Sequence, residues 1–358
     1  MKGKESTGNR RIRRNQRGIA LFIVLWVLTL LSVMVAEFAF ATRTAVNMVR
    51  NFKEETQAYY LARSGMNMAA AELVNARLNP PRPSATDDGN ADGEPDFQLR
   101  YNAALPALAV PGGEIHLRVE SLSGRINLNR AGPTLLRMML DSLDIAEETR
   151  SIVVDSILDW RDPDNLRRLH GAENAYYQSL PDPYFAKNGD FDAVDELLMV
   201  RGVTPEIFEK IRNMLTVFPK SDPDRAARAA RGETGPYDDF NFERLDINNM
   251  RRPLLEALPG MTPEVAEAIL RFRKTEDFRT FTQLRSIVGD ETYAALTRFA
   301  TFQTIPAFAV RVEGRLPGTS IRRTVEAVVE IDLVDPERFR FLKWRDDGEG
   351  WRADAVAG

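Results

Sequence analysis

Cysteine is absent from this 358-residue chain, and histidine occurs only as His116 and His170. The first absence excludes disulfide scaffolds, thiol nucleophiles and thiolate metal sites, and the second excludes multi-histidine metal centres. No glycine-rich nucleophile motif is present either. A catalytic metal on the clustered Asp159, Asp162 and Asp164 is the one enzymatic option left, and no enzyme is expected. Acid is scarce at the start: Glu5 alone opposes Lys2, Lys4, Arg10, Arg11, Arg13, Arg14 and Arg17. Helix breakers are scarce after it. Between Ile19 and Leu78 there is no proline, and Gly65 is the only glycine. What remains is an ordinary globular composition, 44% hydrophobic and 28% charged, so wholesale disorder is not expected.

The formal charge of −4 hides an asymmetry. Beyond residue 18 there are 41 basic against 51 acidic residues, a net of −10. Residues 19–36, IALFIVLWVLTLLSVMVA, carry no charge, near the minimum length for a membrane-spanning helix. The basic cluster before them predicts a cytoplasmic N-terminus and an exported C-terminus. A secretory signal cut near Ala39-Phe40-Ala41 fits poorly, because the apolar run exceeds the usual h-region and no breaker precedes the site. A plain signal anchor fits better. A third reading rests on Gln16-Arg17-Gly18-Ile19-Ala20, where glycine divides the basic leader from the apolar run. That boundary resembles the type IV prepilin leader, which implies cleavage between Gly18 and Ile19 by a prepilin peptidase and methylation of the new N-terminus. Val46, Val49, Phe52, Tyr59, Met66 and Leu73 recur at spacings of one helical face, and Asn79-Pro80-Pro81 supplies a stop. The reading is one helix over 19–79, roughly 90 Å long, with its membrane span at about 19–40.

After a turn-rich acidic loop, 80–96, strand signals occur at Phe97–Tyr101 and Glu114–Leu122. They return only near the C-terminus, at Ala307–Leu316, Ser320–Leu333 and Arg338–Arg345. The expected fold is therefore α+β: a long N-terminal transmembrane helix and an antiparallel sheet split by a large all-α insertion. The sheet domain is discontinuous, 80–124 and 305–358, and the insertion spans 125–304.

The insertion repeats itself. Ile126, Leu128, Asn129, Leu135, Leu136 and Met139 match Leu245, Ile247, Asn248, Leu254, Leu255 and Leu258 at a constant offset of 119. Phe191, Leu197, Val200 and Gly202 match Phe278, Leu284, Ile287 and Gly289 at an offset of 87. The first copy (125–218) thus carries 32 more residues than the second (245–304) between its halves, and 219–244 reads as a linker. Thr204-Pro205-Glu206 and Thr262-Pro263-Glu264 are helix starts, with proline just inside and an acid in the first turn.

These halves resemble helix-hairpin-helix units, which makes a membrane-anchored DNA-binding protein of the competence-receptor type the rival reading. Phosphate binding needs a glycine-rich turn backed by basic side chains. Here threonine replaces the second glycine in Gly202-Val203-Thr204 and Gly260-Met261-Thr262. Leu143-Asp144-Ile145 and Gly289-Asp290-Glu291 place acids where phosphate would lie, and a net of −10 repels a polyanion. No nucleic-acid partner is expected.

Leader, long helix, split sheet and helical insertion together resemble the K-type minor pseudopilins of type II secretion (general secretion pathway protein K). The resemblance implies a pilin-like sheet and a protein anchored once in the inner membrane with its C-terminal domain in the periplasm. It also implies a place at the tip of the pseudopilus, where the subunit starts assembly with I-type and J-type minor pseudopilins. Counting Ile19 as residue one, the fifth position is Ile23, where most pilins carry a glutamate that neutralises a neighbour's N-terminal ammonium. A subunit with nothing above it has no such neighbour, so Ile23 is a tip signature. Contact with the secretin or with exoprotein cargo is a further expectation.

Metal binding is the remaining chemistry. Asp155, Asp159, Asp162, Asp164 and Glu173 lie near the 32-residue excess and offer hard oxygen ligands suited to calcium; the resemblance also implies calcium in the helical domain. Asp88-Gly89-Asn90-Ala91-Asp92-Gly93 matches the first half of a calcium loop, but Leu99 stands where the closing glutamate belongs.

Overall fold

The computed structural model describes residues 17–79, 101, 105–235, 237–333, 335 and 337–346. The leader before Arg17, the loop 80–96 with its calcium-like hexapeptide, and most of the strand expected at Phe97–Tyr101 lie outside the described residues.

Helix α1 runs unbroken over Arg17–Leu78, as a segment free of proline should. The chain divides into two compact units, one ending at Gln57 and the other beginning at Ala58. In the first unit every residue of 19–36 is exposed, a surface that only lipid or other apolar helices can cover. Val46, Val49 and Phe52 are exposed too, so they do not continue the buried stripe. In the second unit the buried residues of α1 are Ala58, Ala62, Gly65, Met66, Ala69, Ala70 and Leu73. Most are alanine, because that face approaches a sheet too closely for larger side chains.

The sheet begins with β1 (Leu108–Val110) and β2 (Gly113–Ser121). The insertion follows. Its first copy contains β3 (Ile126–Asn127), α2 (Pro133–Asp141), α3 (Glu147–Arg161), α4 (Asn174–Tyr177), α5 (Pro205–Ile211) and β4 (Leu215–Thr216). A short helix, α6 (Arg225–Ala230), lies between the copies. The second copy contains β5 (Leu245–Asp246), α7 (Arg252–Glu256), α8 (Pro263–Thr275), α9 (Phe281–Val288), α10 (Asp290–Leu296) and β6 (Ala300–Thr301). The sheet then resumes with β7 (Ala307–Arg315), β8 (Arg322–Ile331) and β9 (Phe339–Asp346). Five strands pair antiparallel in the order β1-β2-β7-β8-β9, so the insertion is spliced between neighbours β2 and β7. One face buries Ile115, Leu117, Val119, Val310, Val312, Val325 and Val329 against α1. Ala309, Val328 and Leu342 on the other face meet the core of the insertion.

The insertion is not wholly helical. Each copy is tied end to end by a two-residue parallel pairing, β3 with β4 and β5 with β6, which no hydrophobic period would reveal. Inside that tie sits one asparagine per copy. Asn129 donates to Phe191 O (3.1 Å) and Val217 O (2.9 Å) and accepts from Phe191 N (2.7 Å). Asn248 repeats the clamp on Phe278, donating to its O (2.9 Å) and accepting from its N (2.8 Å). The two offsets in the sequence, 119 and 87, are the two ends of this clamp. Arg161 donates to Leu128 O and Ala131 O, and Arg273 to Met250 O. Between these arginines and the clamped phenylalanines, the first copy uses residues 162–190 and the second only 274–277. Most of the excess is therefore this one excursion. Segment 219–244 also packs: Tyr237, Phe240 and Phe242 lie against the insertion core, and Tyr237 donates to buried Glu330 at 2.5 Å.

One buried group predicts a pH effect. Asp246, fully buried, accepts from Asn248 N, Asn249 Nδ2 and Thr304 Oγ1. Burial outweighs those bonds and nearby Arg273, pushing its carboxyl from 3.8 up to about 6. A folded value above the unfolded one means the folded chain holds the proton more tightly. The contribution of Asp246 to stability is then greatest below about pH 4 and falls as pH rises through 6. The first copy carries Asn127 here. Asp246→Asn is expected to remove this fall, about 3 kcal/mol for a fully buried carboxyl moved that far. Urea unfolding of both proteins at pH 4 and pH 7 measures it; parallel pH dependences would rule it out.

Candidate functional site

Gly18 and Ile19 fall in the first turn of α1. Ile23, one turn on, is exposed like its neighbours and brings no charge to the apolar stretch. The five helical turns from Ile19 onward are apolar.

The excursion 162–190 holds the second site. Among the described residues, carboxylate oxygens of Asp159, Asp162 and Glu173 lie within 4.8 Å of one another. Helix α3 supplies Asp159 from its last turn, Asp162 caps the helix, and Glu173 precedes α4. Asp155 and Asp164 do not join them. Asp155 Oδ2 accepts from His170 N (3.0 Å) and Asp164 Oδ1 from Leu166 N (2.7 Å), so both shape the loop. Arg168 reaches in, donating from Nη1 to Asp159 (2.6 Å) and to Asp162. Glu173 is 4% exposed, yet neither of its oxygens has a hydrogen-bond donor, and Asp162 Oδ1 has none either. Burial, then the charges of Asp159, Asp162 and Asp164, push the Glu173 carboxyl up to about 7 despite Arg168. Burial likewise raises Asp159 against its bonds from Arg168. Hard acceptors brought together, with Asp162 Oδ1 and both Glu173 oxygens left without donors, suit a hard cation.

The helical hairpins use their turns differently from a phosphate cradle. Gly202 and Gly260 turn with φ of 85° and 74°, which suits glycine. The threonines that replace the second glycine cap the next helix: Thr204 Oγ1 accepts from Ile207 N and Thr262 Oγ1 from Val265 N, both at 3.3 Å. One N–H that a phosphate would bind is thus already engaged in each turn.

A third cluster was invisible in the sequence. Glu120 alternates with apolar residues in β2 and reads as solvent-facing, but it is 2% exposed. Arg118 Nε (3.1 Å), Arg125 Nη2 (2.7 Å) and Arg251 Nη2 (2.5 Å) surround its carboxylate. Burial opposes ionisation, but Arg125, Arg251 and Arg118 outweigh it and hold the carboxyl below its ordinary value. Arg251 belongs to the second copy, so the cluster pins sheet to insertion. Beside it Gly124 passes so close to Asn249 that a Cβ would lie 2.0 Å from the Asn249 carbonyl oxygen.

Comparison with known proteins agrees with this architecture. A family model described as type II secretion system protein K matches residues 118–220, and a helix-hairpin-helix motif matches 240–301. The type II secretion system protein K of Pseudomonas aeruginosa is 25% identical over 363 residues, covering 96% of this chain and 99% of that protein. Its counterpart from Aeromonas hydrophila is 26% identical over 225 residues, 58% of this chain and 65% of that one. In the crystal structure of the GspK-GspI-GspJ complex of the enterotoxigenic Escherichia coli type 2 secretion system, a chain 17% identical to this one matches with a TM-score of 0.57. The match covers 84% of this chain and 99% of that chain.

Proposed function

We propose that this chain, a member of the protein K family of type II secretion, is the minor pseudopilin at the tip of the pseudopilus, where it starts filament assembly for protein export. It acts as a structural component rather than an enzyme. The observation that carries the reading is α1: one uninterrupted helix, apolar and exposed over 19–36, with Ile23 where a shaft subunit would carry acid. Before assembly that surface is covered by inner-membrane lipid, with the basic leader on the cytoplasmic side and the sheet and insertion in the periplasm. On assembly, helices of I-type and J-type subunits replace lipid below it. Nothing needs to sit above, because Ile23 leaves no charge to be matched. The large insertion between β2 and β7 also favours an end position, where bulk beside the sheet meets no next subunit. Secretin or cargo would then meet the insertion first.

Extraction from membranes tests this directly. The chain is expected to co-purify in equal amounts with the I-type and J-type subunits, and its N-terminal sequence is expected to start at a methylated Ile19 after cleavage by prepilin peptidase. A mature chain starting elsewhere, or one recovered without those subunits, would overturn the reading. Retention of the chain on DNA at low salt, lost at high salt, would favour the helix-hairpin-helix rival instead.

Asp159, Asp162 and Glu173 would hold a calcium ion, with Arg168 as the internal cation that the metal displaces or shares. Calcium at a hundredfold excess over its dissociation constant is expected to stabilise the chain by about 2.7 kcal/mol. Thermal unfolding in calcium, in magnesium and in chelator measures this. Glu173→Gln is expected to abolish the calcium shift while leaving the chelator curve in place. A wild-type chain indifferent to calcium would sink the assignment.

A further inference from the structure

On the sheet face turned away from α1, cross-strand register gathers basic residues around two acids. Arg118 stands opposite Arg311, Arg311 opposite Glu326, and Glu326 opposite Arg345. The next row is Glu120, Ala309, Val328 and Lys343. Arginine directly opposite arginine is unfavourable between strands, and each of the two has an acid beside it, Glu120 for Arg118 and Glu326 for Arg311. Between these rows lies a pocket of about 160 Å³, floored by Ala309 and Val328 and walled by Arg125, Arg311, Lys343 and Arg345. Glu326 is the only acid in its wall. Arg311 Nη1 is 3.3 Å from Glu326 Oε1, yet that oxygen accepts no hydrogen bond. Lys343 and Arg345 are exposed, and their side chains make no hydrogen bond or ion pair among the described residues.

We propose that this pocket receives a carboxylate side chain from an acidic segment of a partner protein laid across β7, β8 and β9. Charge complementarity carries the assignment: Arg125 is held by Glu120 and Arg311 by Glu326, and Lys343 and Arg345 stand exposed beside them in a chain whose exported part is net acidic. Such a local reversal marks a place for anionic partners rather than a general property of the surface. The volume admits one side chain, and the apolar floor fits its methylenes while the guanidinium and ammonium groups meet its oxygens. Glu326 tempers the site. Burial pushes its carboxyl up, against the pull of Arg311, Arg345 and Lys343. The site does not depend on the tip assignment, since it uses neither α1 nor the insertion helices.

The probe is a fluorescent hexaglutamate peptide, titrated at low salt into the purified full-length chain in neutral detergent. Saturable binding is expected, about tenfold weaker in Lys343→Glu/Arg345→Glu and unchanged in Arg271→Glu/Arg279→Glu on the insertion. Both sites of the first pair are exposed, so its thermal unfolding should match wild type. Glu326→Gln, which removes the competing acid, is expected to tighten binding about threefold, an effect that misfolding cannot produce. Equal binding by all four proteins would overturn the proposal. So would full displacement by equimolar inorganic phosphate, which marks a small-anion site, or by oligothymidylate, which marks a nucleic-acid patch. Binding that emerges only after removal of residues 347–358 would assign the pocket to the chain's own acidic tail and overturn the partner reading.

Discussion

Replacing Glu120 by alanine is expected to destabilise the chain by about 3–5 kcal/mol, the range for removing one partner of a buried ionic cluster. The carboxylate is 2% exposed and meets three arginines. Without it, Arg125 and Arg251 remain in a site built around a negative charge, and their repulsion acts at the seam between sheet and insertion. Glutamine keeps the shape but not the charge, so Glu120→Gln should recover only part of the loss. The pH dependence has a defined sign. A carboxyl held below its ordinary value of 4.5 contributes fully above that value, and the contribution is lost as pH falls through the folded value. The deficit of the variant should therefore shrink in acid. Thermal unfolding at pH 7 and pH 3.5 measures both effects. A deficit below about 1 kcal/mol at pH 7 would place Glu120 among ordinary surface pairs.

Gly314→Ala is expected to cost about 3 kcal/mol or to prevent folding, the upper range for overpacking. A Cβ at Gly314 of β7 would lie 2.2 Å from Ala58 O and 2.7 Å from Ala62 N. Both obstacles are helix backbone, so relief requires α1 to lift from the sheet over Met66 and Leu73. Gly65 offers the control. There a Cβ would meet Ile115 Cγ2 at 2.5 Å and Val312 Cγ1 at 2.7 Å, methyls of stiff β-branched side chains that can still yield more than helix backbone. Gly65→Ala should be the milder change, and a reversed ranking in urea unfolding would contradict the backbone argument.

Much of this architecture can be read from residue order, and the limits are physical. Alternation in 114–122 and 307–333 locates β2, β7 and β8, because a half-buried strand must alternate. Proline-threonine signals locate α5 and α8, because capping is local. Duplication at two offsets anticipates the clamps of Asn129 and Asn248. What escaped depends on partners far along the chain. Glu120 looks exposed until Arg251 arrives from the second copy. The packed face of α1 is mostly alanine, which carries little hydrophobic signal, so Val46, Val49 and Phe52 mislead. The candidate cation site narrows from five acids to three because loop path decides which oxygens converge. Asp155 and Asp164 share the composition but spend their oxygens on backbone N–H groups.

The asparagine clamp has a further consequence for how such a protein can vary. Because Asn129 and Asn248 fix both ends of whatever chain runs between helix and second half-repeat, the frame does not register its length. The same two hydrogen bonds to a phenylalanine close 162–190 in one copy and 274–277 in the other. Lengthening a closed loop costs only about 0.6 kcal/mol per doubling, so each clamp is a growth point. One has already been filled with a folded loop bearing buried acids. The other, at 274–277, is the natural place to graft a reporter or a new recognition loop without disturbing the repeat.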